Sequence, residues 1–234
     1  MKHLAPLILA ALLGACAAAE PQPPAQLLQT VYVTQATPSA CSLASVTMVV
    51  NALRRGAGQP PVTQAEVLGA VGDPEWSRAT AMDGDGVSFA ALQRYLRQAL
   101  ERYGFGTATM AVFQPADDSA ASLAALRRVL ASDGAIELAA FDQGTLTGSE
   151  HVGHVSPLGP YDPAGRRLLV LDVDPEQPAP YWASDTALLA ALVRPDPTDP
   201  TGNGVIRVVP PQETSSAGPG ALAGLPKNSS PFLQ

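Results

Sequence analysis

One segment, Cys41–Arg55 (CSLASVTMVVNALRR), constrains the fold more than any other, because it is apolar on nearly every face of a helix. A helix that is apolar all round has to be surrounded by the rest of the protein. Thr37-Pro38-Ser39 offers a hydroxyl N-cap with proline near the first turn, and Gly56 can cap the other end. The sequence therefore predicts a buried central helix with Cys41 at or near its N-terminus.

Composition narrows the class of protein. Without a leader and a proline-rich tail, the 234 residues leave somewhat under 200 for one domain, and a 46% apolar, 15% charged balance is that of a globular protein. The net charge is -7, and Lys and Arg are scattered singly. We expect no nucleic-acid partner, because no basic stripe is present to neutralise a phosphate backbone.

The N-terminus predicts export. The apolar run Leu4–Leu13 is about half as long as the roughly 20 residues that a membrane-spanning helix needs. Leu13-Gly14-Ala15-Cys16 resembles the lipobox of bacterial lipoproteins, which predicts a signal peptide at 1–16, lipidation of Cys16 and a membrane-anchored protein facing the periplasm. The alternative is ordinary cleavage after Ala17-Ala18-Ala19, which would give a soluble periplasmic or secreted protein.

The ends of the mature chain differ in composition from its centre. Residues 17–30 are rich in Ala, Pro and Gln, which predicts a flexible tether, and a stretch of Ser, Gly, Pro and Ala predicts a disordered tail at 210–234. The fold is expected to occupy residues 31–209.

Between these ends, helical patterns come early and strand patterns come late. The predicted surface helices are Val87–Tyr103 and Ala120–Ala131. The predicted strands are Ala135–Phe141, His154–Leu158, Leu168–Val173 and Val205–Val209. We expect an α+β fold with a helical N-terminal half and an antiparallel sheet in the C-terminal half.

Cys41 is the first candidate for chemistry. It and Cys16 are the chain's two cysteines, so a lipid on Cys16 leaves Cys41 as a lone thiol in an oxidising compartment, where such thiols are kept for reactivity; the alternative is a small buried apolar side chain. A helix N-terminus and a nearby histidine would favour its nucleophilic thiolate. Gln35, six residues upstream, could join the Cys41 backbone N–H as an oxyanion donor; otherwise it is a solvated loop residue.

The search for a base is short. After the leader the chain contains His151 and His154, and His154 opens a predicted strand after Gly153, whereas His151 lies in a loop and is expected to be solvated. His154 is therefore the candidate acid/base.

Two acids are candidates to orient His154. The turn Asp162–Gly165 predicts a hairpin with Gly165 left-handed, and its pairing puts Asp174 opposite His154 and Asp172 one pleat away on the same face. Prolines interrupt the first strand, so pairing alone leaves both acids open. The alternating pattern of the returning strand puts Asp172 on a partly buried face, which favours Asp172.

A family resemblance rests on separate blocks. Val33–Cys41, with Ala44-Ser45 and Val50–Leu53, resembles the nucleophile segment of phytochelatin synthases, T-Q-x-x-P-x-x-C-x-x-A followed by N-A-L. Gly153–Leu158 and Leu171–Val173 resemble the family's G-H-[FIV]-S-P and L-D-V, and Tyr181-Trp182 falls at its aromatic pair. The likeness runs from about Val31 to Leu192 and implies a papain-like cysteine proteinase fold.

The resemblance implies a glutathione γ-glutamylcysteinyltransferase-like activity. Cys41 would be the acylated nucleophile, His154 the acid/base, Asp172 its orienting residue in preference to Asp174, and Gln35 an oxyanion donor. The substrate would be glutathione or a related γ-glutamyl peptide, cleaved at its Cys–Gly bond to leave a thioester. No cofactor is required, and Cd²⁺ or Zn²⁺ would enter as a thiolate complex of the substrate. Short bacterial members of the family are mainly hydrolytic.

Departures from the family leave the substrate open. Ser42 stands where the family has glycine, and Asp174-Pro175-Glu176 stands where it carries basic residues. The periplasm also holds less reduced thiol than the cytosol. The alternatives are a papain-like peptidase of the bacteriocin-processing type, acting on ordinary peptides, and a non-catalytic lipoprotein that binds peptide or metal. A zinc site made of Cys41, His151 and His154 is disfavoured, because these residues lack close ligand spacing.

Overall fold

The computed structural model describes residues 24–132, 134–177, 180–195 and 199–210. The predicted signal peptide with Cys16, the first part of the predicted tether and nearly all of the predicted tail lie outside these ranges. Within them, no helix has the length and apolar character needed to cross a membrane.

Helices come first along the chain and the sheet follows. The N-terminal half contains α1 (Pro24–Thr30), α2 (Cys41–Gly56), α3 (Gln64–Val71), α4 (Pro74–Ala79) and α5 (Phe89–Arg102). The rest contains β1 (Thr109–Phe113), α6 (Ala120–Leu130), β2 (Ile136–Asp142), α7 (Gln143–Thr147), β3 (Gly153–Asp162), β4 (Arg167–Val170), β5 (Tyr181–Ser184), α8 (Asp185–Val193) and β6 (Gly204–Val209). The described strands form an antiparallel sheet in the order β1-β6-β2-β3-β4-β5. This confirms the predicted α+β fold.

The sheet is covered on both faces, which explains the continuous apolar run of β2. Leu138 and Ala140 pack into the core cluster that contains α2 and α5, whereas Ala139 and Phe141 pack into the cluster that contains α8. A strand that is buried on both sides can carry apolar residues at consecutive rather than alternate positions, as β2 does from Leu138 to Phe141.

Helix α2 is the predicted central helix, and every residue from Cys41 to Leu53 is buried. The predicted caps are wrong. The N-cap is Ala40, which has no side-chain acceptor, and the Ser39 hydroxyl donates to the Gly84 carbonyl of a neighbouring loop. At the other end Gly56 belongs to the helix, and Ala57 is the C-cap.

The predicted tether is wrong over residues 24–30, which form α1. Leu28 is completely buried in the same core cluster as α2, with Leu27 packed against it. A flexible segment lacks apolar surface to bury, whereas Leu27 and Leu28 provide it. The fold therefore begins before Val31.

The hairpin between β3 and β4 reaches the predicted register by a different route. The left-handed residue is Arg166, with φ of 51°, and not Gly165, so the turn is one residue longer than predicted. A bulge between Leu158 and Tyr161 then takes up the extra residue, and Leu158 pairs with Val170 as the predicted register requires. Strand β4 ends at Val170, so the stretch to Val173 continues without strand structure.

Candidate active site

The Cys41 thiol lies at the first position of α2. It is a free thiol and is buried, with 9% of its surface exposed. No side chain of a described residue caps this helix N-terminus. The N–H groups of its first turn therefore lack a side-chain acceptor and point their partial positive charge toward the thiol.

His154 is the second residue of β3 and is buried. It pairs with Phe141 of β2, and the two rings meet edge to face with centroids 5.6 Å apart. One hydrogen bond fixes this strand against the nucleophile's helix: the Ser45 hydroxyl donates to the Val155 carbonyl at 2.9 Å. Ser45 is one helical turn beyond Cys41, so the bond sets the height of Cys41 relative to the histidine.

The imidazole of His154 lies between Cys41 and an acid. Burial alone would lower its pKa, but the hydrogen bond and negative charge of Asp172, together with the neighbouring Cys41, raise the pKa of His154 to about 10. The Nε2 atom faces Asp172, which leaves Nδ1 for the Cys41 thiol. An imidazole that keeps its proton beside a thiol favours the thiolate, which is the nucleophilic form.

Asp172 is completely buried, and its carboxylate is surrounded by donors. Oδ1 lies 2.8 Å from Nε2 of His154 and accepts the Asp174 backbone N–H at 3.0 Å, while Oδ2 accepts the Tyr181 hydroxyl at 3.0 Å. Burial would raise the pKa of Asp172, but the hydrogen bond and positive charge of His154, with the other donors, hold it below its usual range. Asp172 is therefore placed to stay ionised and to orient the histidine.

Two tyrosines fix Asp172 from either side. Tyr32 donates to its backbone carbonyl, and Tyr181 donates to its side chain. The pKa of each tyrosine is raised by burial and by the negative charge of Asp172, so both remain hydroxyl donors near neutral pH.

The side chains of Asp174 and His151, the two competing candidates, make other contacts. Asp174 accepts a hydrogen bond from Nε2 of Gln143 at 3.1 Å and is thereby directed toward α7. His151 is half exposed, and its Nδ1 lies 2.7 Å from Oδ1 of Asp142. His151 is thus partly exposed as predicted, but it is also held by an acid, which its loop position did not indicate.

Gln35 lies beside the site in a defined orientation. Its backbone N–H donates to the Val173 carbonyl at 2.7 Å, and its side-chain Nε2 donates to the Pro38 carbonyl at 3.1 Å. One N–H of Nε2 is left over from that bond, which is the group that an oxyanion donor needs. The segment that leads into α2 is in this way tied to the segment that carries Asp172.

Ser42, which stands where the family has glycine, has a hydrogen-bond partner in the structure. Ser42 is completely buried, and its hydroxyl accepts a hydrogen bond from Nε1 of Trp76 at 3.1 Å. Trp76 in turn stacks on Tyr95 with ring centroids 4.7 Å apart. A glycine at this position would leave the indole N–H without that acceptor, so the serine belongs to a local packing arrangement with α4.

Sequence reasoning missed three residues that touch the site: Tyr32, Ser156 and Tyr181. Ser156 carried a signal, because it lies two residues after His154 and alternate strand residues share a face. Tyr181 was marked only by the family resemblance, as part of the aromatic pair. No strand pattern indicated it, because the sequence does not predict β5 after the proline-containing stretch.

The arrangement suits acyl transfer through a thiol. A buried Cys–His–Asp series with open helix N–H groups can form a thioester and stabilise the oxyanion that precedes it. Among the described residues, no group of three or more His, Cys, Asp or Glu is placed to hold a metal ion.

Comparison with known proteins places this site in a family. The family model of phytochelatin synthase matches residues 10–204, a range that contains Cys41, His154 and Asp172. A search of curated proteins gives no significant match. Since the family model covers well over half of the sequence, the chain belongs to the phytochelatin synthase family.

Proposed function

We propose that this chain cleaves the Cys–Gly bond of glutathione, or of a related γ-glutamyl peptide, through a γ-glutamylcysteinyl thioester on Cys41. The observation that carries the proposal is the Cys41–His154–Asp172 series at the N-terminus of α2, which no described side chain caps. Family membership supplies the substrate class.

The thioester forms in one balanced sequence. The Cys41 thiolate attacks the carbonyl carbon between cysteine and glycine, and the resulting oxyanion takes hydrogen bonds from the Cys41 backbone N–H and from Gln35. His154 then gives the Nδ1 proton to the glycine nitrogen, so the C–N bond breaks and glycine leaves. Asp172 holds the ring through Nε2 during this transfer.

The second half returns the enzyme to its first state. His154, now neutral, takes a proton from water or from the amino group of a second peptide as that nucleophile attacks the thioester. The C–S bond then breaks, and Cys41 leaves as the thiolate beside the protonated His154. Water yields γ-glutamylcysteine, and a peptide yields a longer γ-glutamyl product. We propose that no cofactor is required and that Cd²⁺ or Zn²⁺ acts only as a thiolate complex of the substrate.

We also propose an exported location, with a lipid on Cys16 anchoring the domain at the membrane. By the resemblance, Asp174 and Glu176 stand where the family carries basic residues, so a γ-glutamyl peptide without a free C-terminal carboxylate is a second substrate to test. Such a peptide would avoid repulsion by those carboxylates.

The test is release of the C-terminal residue from glutathione, from its C-terminal amide and from unrelated peptides, each with and without cadmium. Cys41→Ala should abolish release, whereas Cys16→Ser, which removes the other cysteine, should not. Activity of Cys41→Ala equal to that of the parent would refute the proposal. Equal activity on unrelated peptides would favour a general peptidase.

A further inference from the structure

Ser156 is a buried hydroxyl that the Cys–His–Asp mechanism does not use. It lies on β3 two residues after His154, and no part of it is exposed. Its Oγ is 3.1 Å from Nε2 of His154, the nitrogen that also faces Asp172, and it accepts the backbone N–H of Val173 at 3.3 Å.

These contacts lie just beyond the end of β4, where the segment that carries Asp172 is no longer paired with β3. Strand β4 ends at Val170, and the ladder toward β3 closes with Leu171 N–H donating to the Pro157 carbonyl. Beyond that point the chain carries Asp172 without strand pairing. The next backbone N–H that faces β3 is that of Val173. It donates to the hydroxyl oxygen of Ser156 instead of to a backbone carbonyl of β3.

We propose that Ser156 is a positioning residue, whose hydroxyl oxygen holds His154 and the Asp172 segment together by accepting from both Nε2–H and Val173 N–H. The inference rests on the proposed function of Cys41 and His154. A hydroxyl oxygen has two acceptor sites, which match the two donors. The proton on Nε2 is then shared between Asp172 and Ser156, which stabilises the imidazolium and keeps Nδ1 directed at Cys41.

The groups that face the imidazole are few among the described residues. Cys41 faces it from α2, Asp172 from the segment after β4, and the apolar ring of Phe141 from β2. Removing the Ser156 oxygen therefore takes away one of the acceptors that favour the charged ring. The neutral ring should become easier to form at alkaline pH.

The rate at which iodoacetate alkylates Cys41 reports the protonation state of His154, and the measurement does not require the substrate to be known. This anionic reagent reacts best with a thiolate beside an imidazolium, so its rate falls when His154 loses its proton. The rate is measured between pH 5 and 11 on the parent, Ser156→Ala and Ser42→Ala, with the adduct assigned to Cys41 rather than Cys16 by mass spectrometry. Ser42→Ala is the matched control, because Ser42 is equally buried and its hydroxyl accepts from Trp76 instead.

In Ser156→Ala the alkaline midpoint should move down by about one to two units, the size expected for one hydrogen bond to a charged group. Ser42→Ala should keep the parent's midpoint. Coincident midpoints for all three proteins would overturn the positioning role. If Cys41 of the parent reacts at pH 6 no faster than a thiol in an unfolded peptide, the nucleophile assignment itself fails, and the two failures are thereby distinguished.

Discussion

At the scale of single residues, the site depends on charges that burial opposes. His154 and Asp172 are both buried, and burial alone would favour their neutral forms. Each is kept charged by the other and by a third group, Cys41 for the histidine and Tyr181 for the aspartate. Removing one member leaves a buried group without its partner, which is more costly than losing an exposed pair.

Replacing the acid tests which carboxylate orients the histidine. Asp172→Asn should lower kcat at least about 100-fold, because the amide no longer favours the imidazolium or its orientation. Asp174→Asn is the matched control, since Asp174 contacts Gln143 rather than the imidazole, and it should lose far less activity. Equal and small losses in steady-state assays would show that the hydrogen bond between Asp172 and His154 has no catalytic consequence.

The same carboxyl makes stability depend on acid. The pKa of Asp172 is lowered in the fold, so its contribution is present above the unfolded value of about 3.9 and is lost as pH falls below that value and through the folded pKa. The free energy of unfolding, measured by urea titration between pH 2 and 6, should therefore fall less steeply for Asp172→Asn than for the parent. Parallel curves would mean that Asp172 is not stabilised as an anion.

At the scale of elements, the site is assembled by the contact of α2 with β3. The Ser45–Val155 hydrogen bond connects the helix that begins with Cys41 to the strand that carries His154. Both partners are buried, so the bond is shielded from water. It fixes two elements that lie more than a hundred residues apart in the chain.

Removing this connection should cost stability. Ser45→Ala leaves the Val155 carbonyl without its side-chain donor and should lower the free energy of unfolding by about 1–3 kcal/mol. Ser77→Ala removes an exposed hydroxyl that bonds within its own helix and should change stability by less than about 0.5 kcal/mol. Similar values for both variants in urea unfolding would contradict this role for Ser45.

The elements that could be predicted were those with a local signal. The segment after Cys41 predicts α2, because its residues are apolar on nearly every face of a helix and all of these faces are buried. The predicted pairing of Leu158 with Val170 is confirmed although the predicted turn is wrong, because the longer turn ending at Arg166 is offset by the bulge before Tyr161. Between the turn and the bulge the pairing is one residue away from the predicted register. Neither correction has a local cause in the sequence, since each depends on how the strands pair.

In the site, too, residues with a local sequence signal could be predicted, and contacts that depend on tertiary structure could not. Cys41, His154 and Asp172 lie together in the structure, because a helix start and a hairpin place them. The predicted hydroxyl cap is wrong, since the helix begins one residue later, after Ala40, and the Ser39 hydroxyl donates to Gly84 of a neighbouring loop. The Tyr181 contact depends on β5, an edge strand whose short length gives little pattern to read.

At the scale of the whole molecule, the sheet is held between two helical layers, and α1 completes one of them. Leu28 is completely buried in the cluster that surrounds α2, so the segment before Val31 contributes to the core. Tyr32, immediately after it, reaches Asp172. The N-terminal segment thus supports both the fold and the site.

Shortening the buried side chain of α1 tests this contribution. Leu28→Ala should lower the free energy of unfolding by about 2–5 kcal/mol, the cost of a large-to-small change in a packed core. Gln26→Ala, on the exposed side of the same helix, should have little effect. A change of less than about 1 kcal/mol for Leu28→Ala would restore the interpretation of residues 24–30 as a tether.

The central claim is that Cys41 carries the acyl group, and trapping that group tests it most directly. The parent is mixed with glutathione, quenched in acid within the first turnover and analysed by mass spectrometry beside Cys41→Ala. We predict one added γ-glutamylcysteinyl group, located on Cys41 and matched by an equal amount of free glycine. Glycine release without any adduct on Cys41, at a rate that Cys41→Ala reproduces, would contradict the claim.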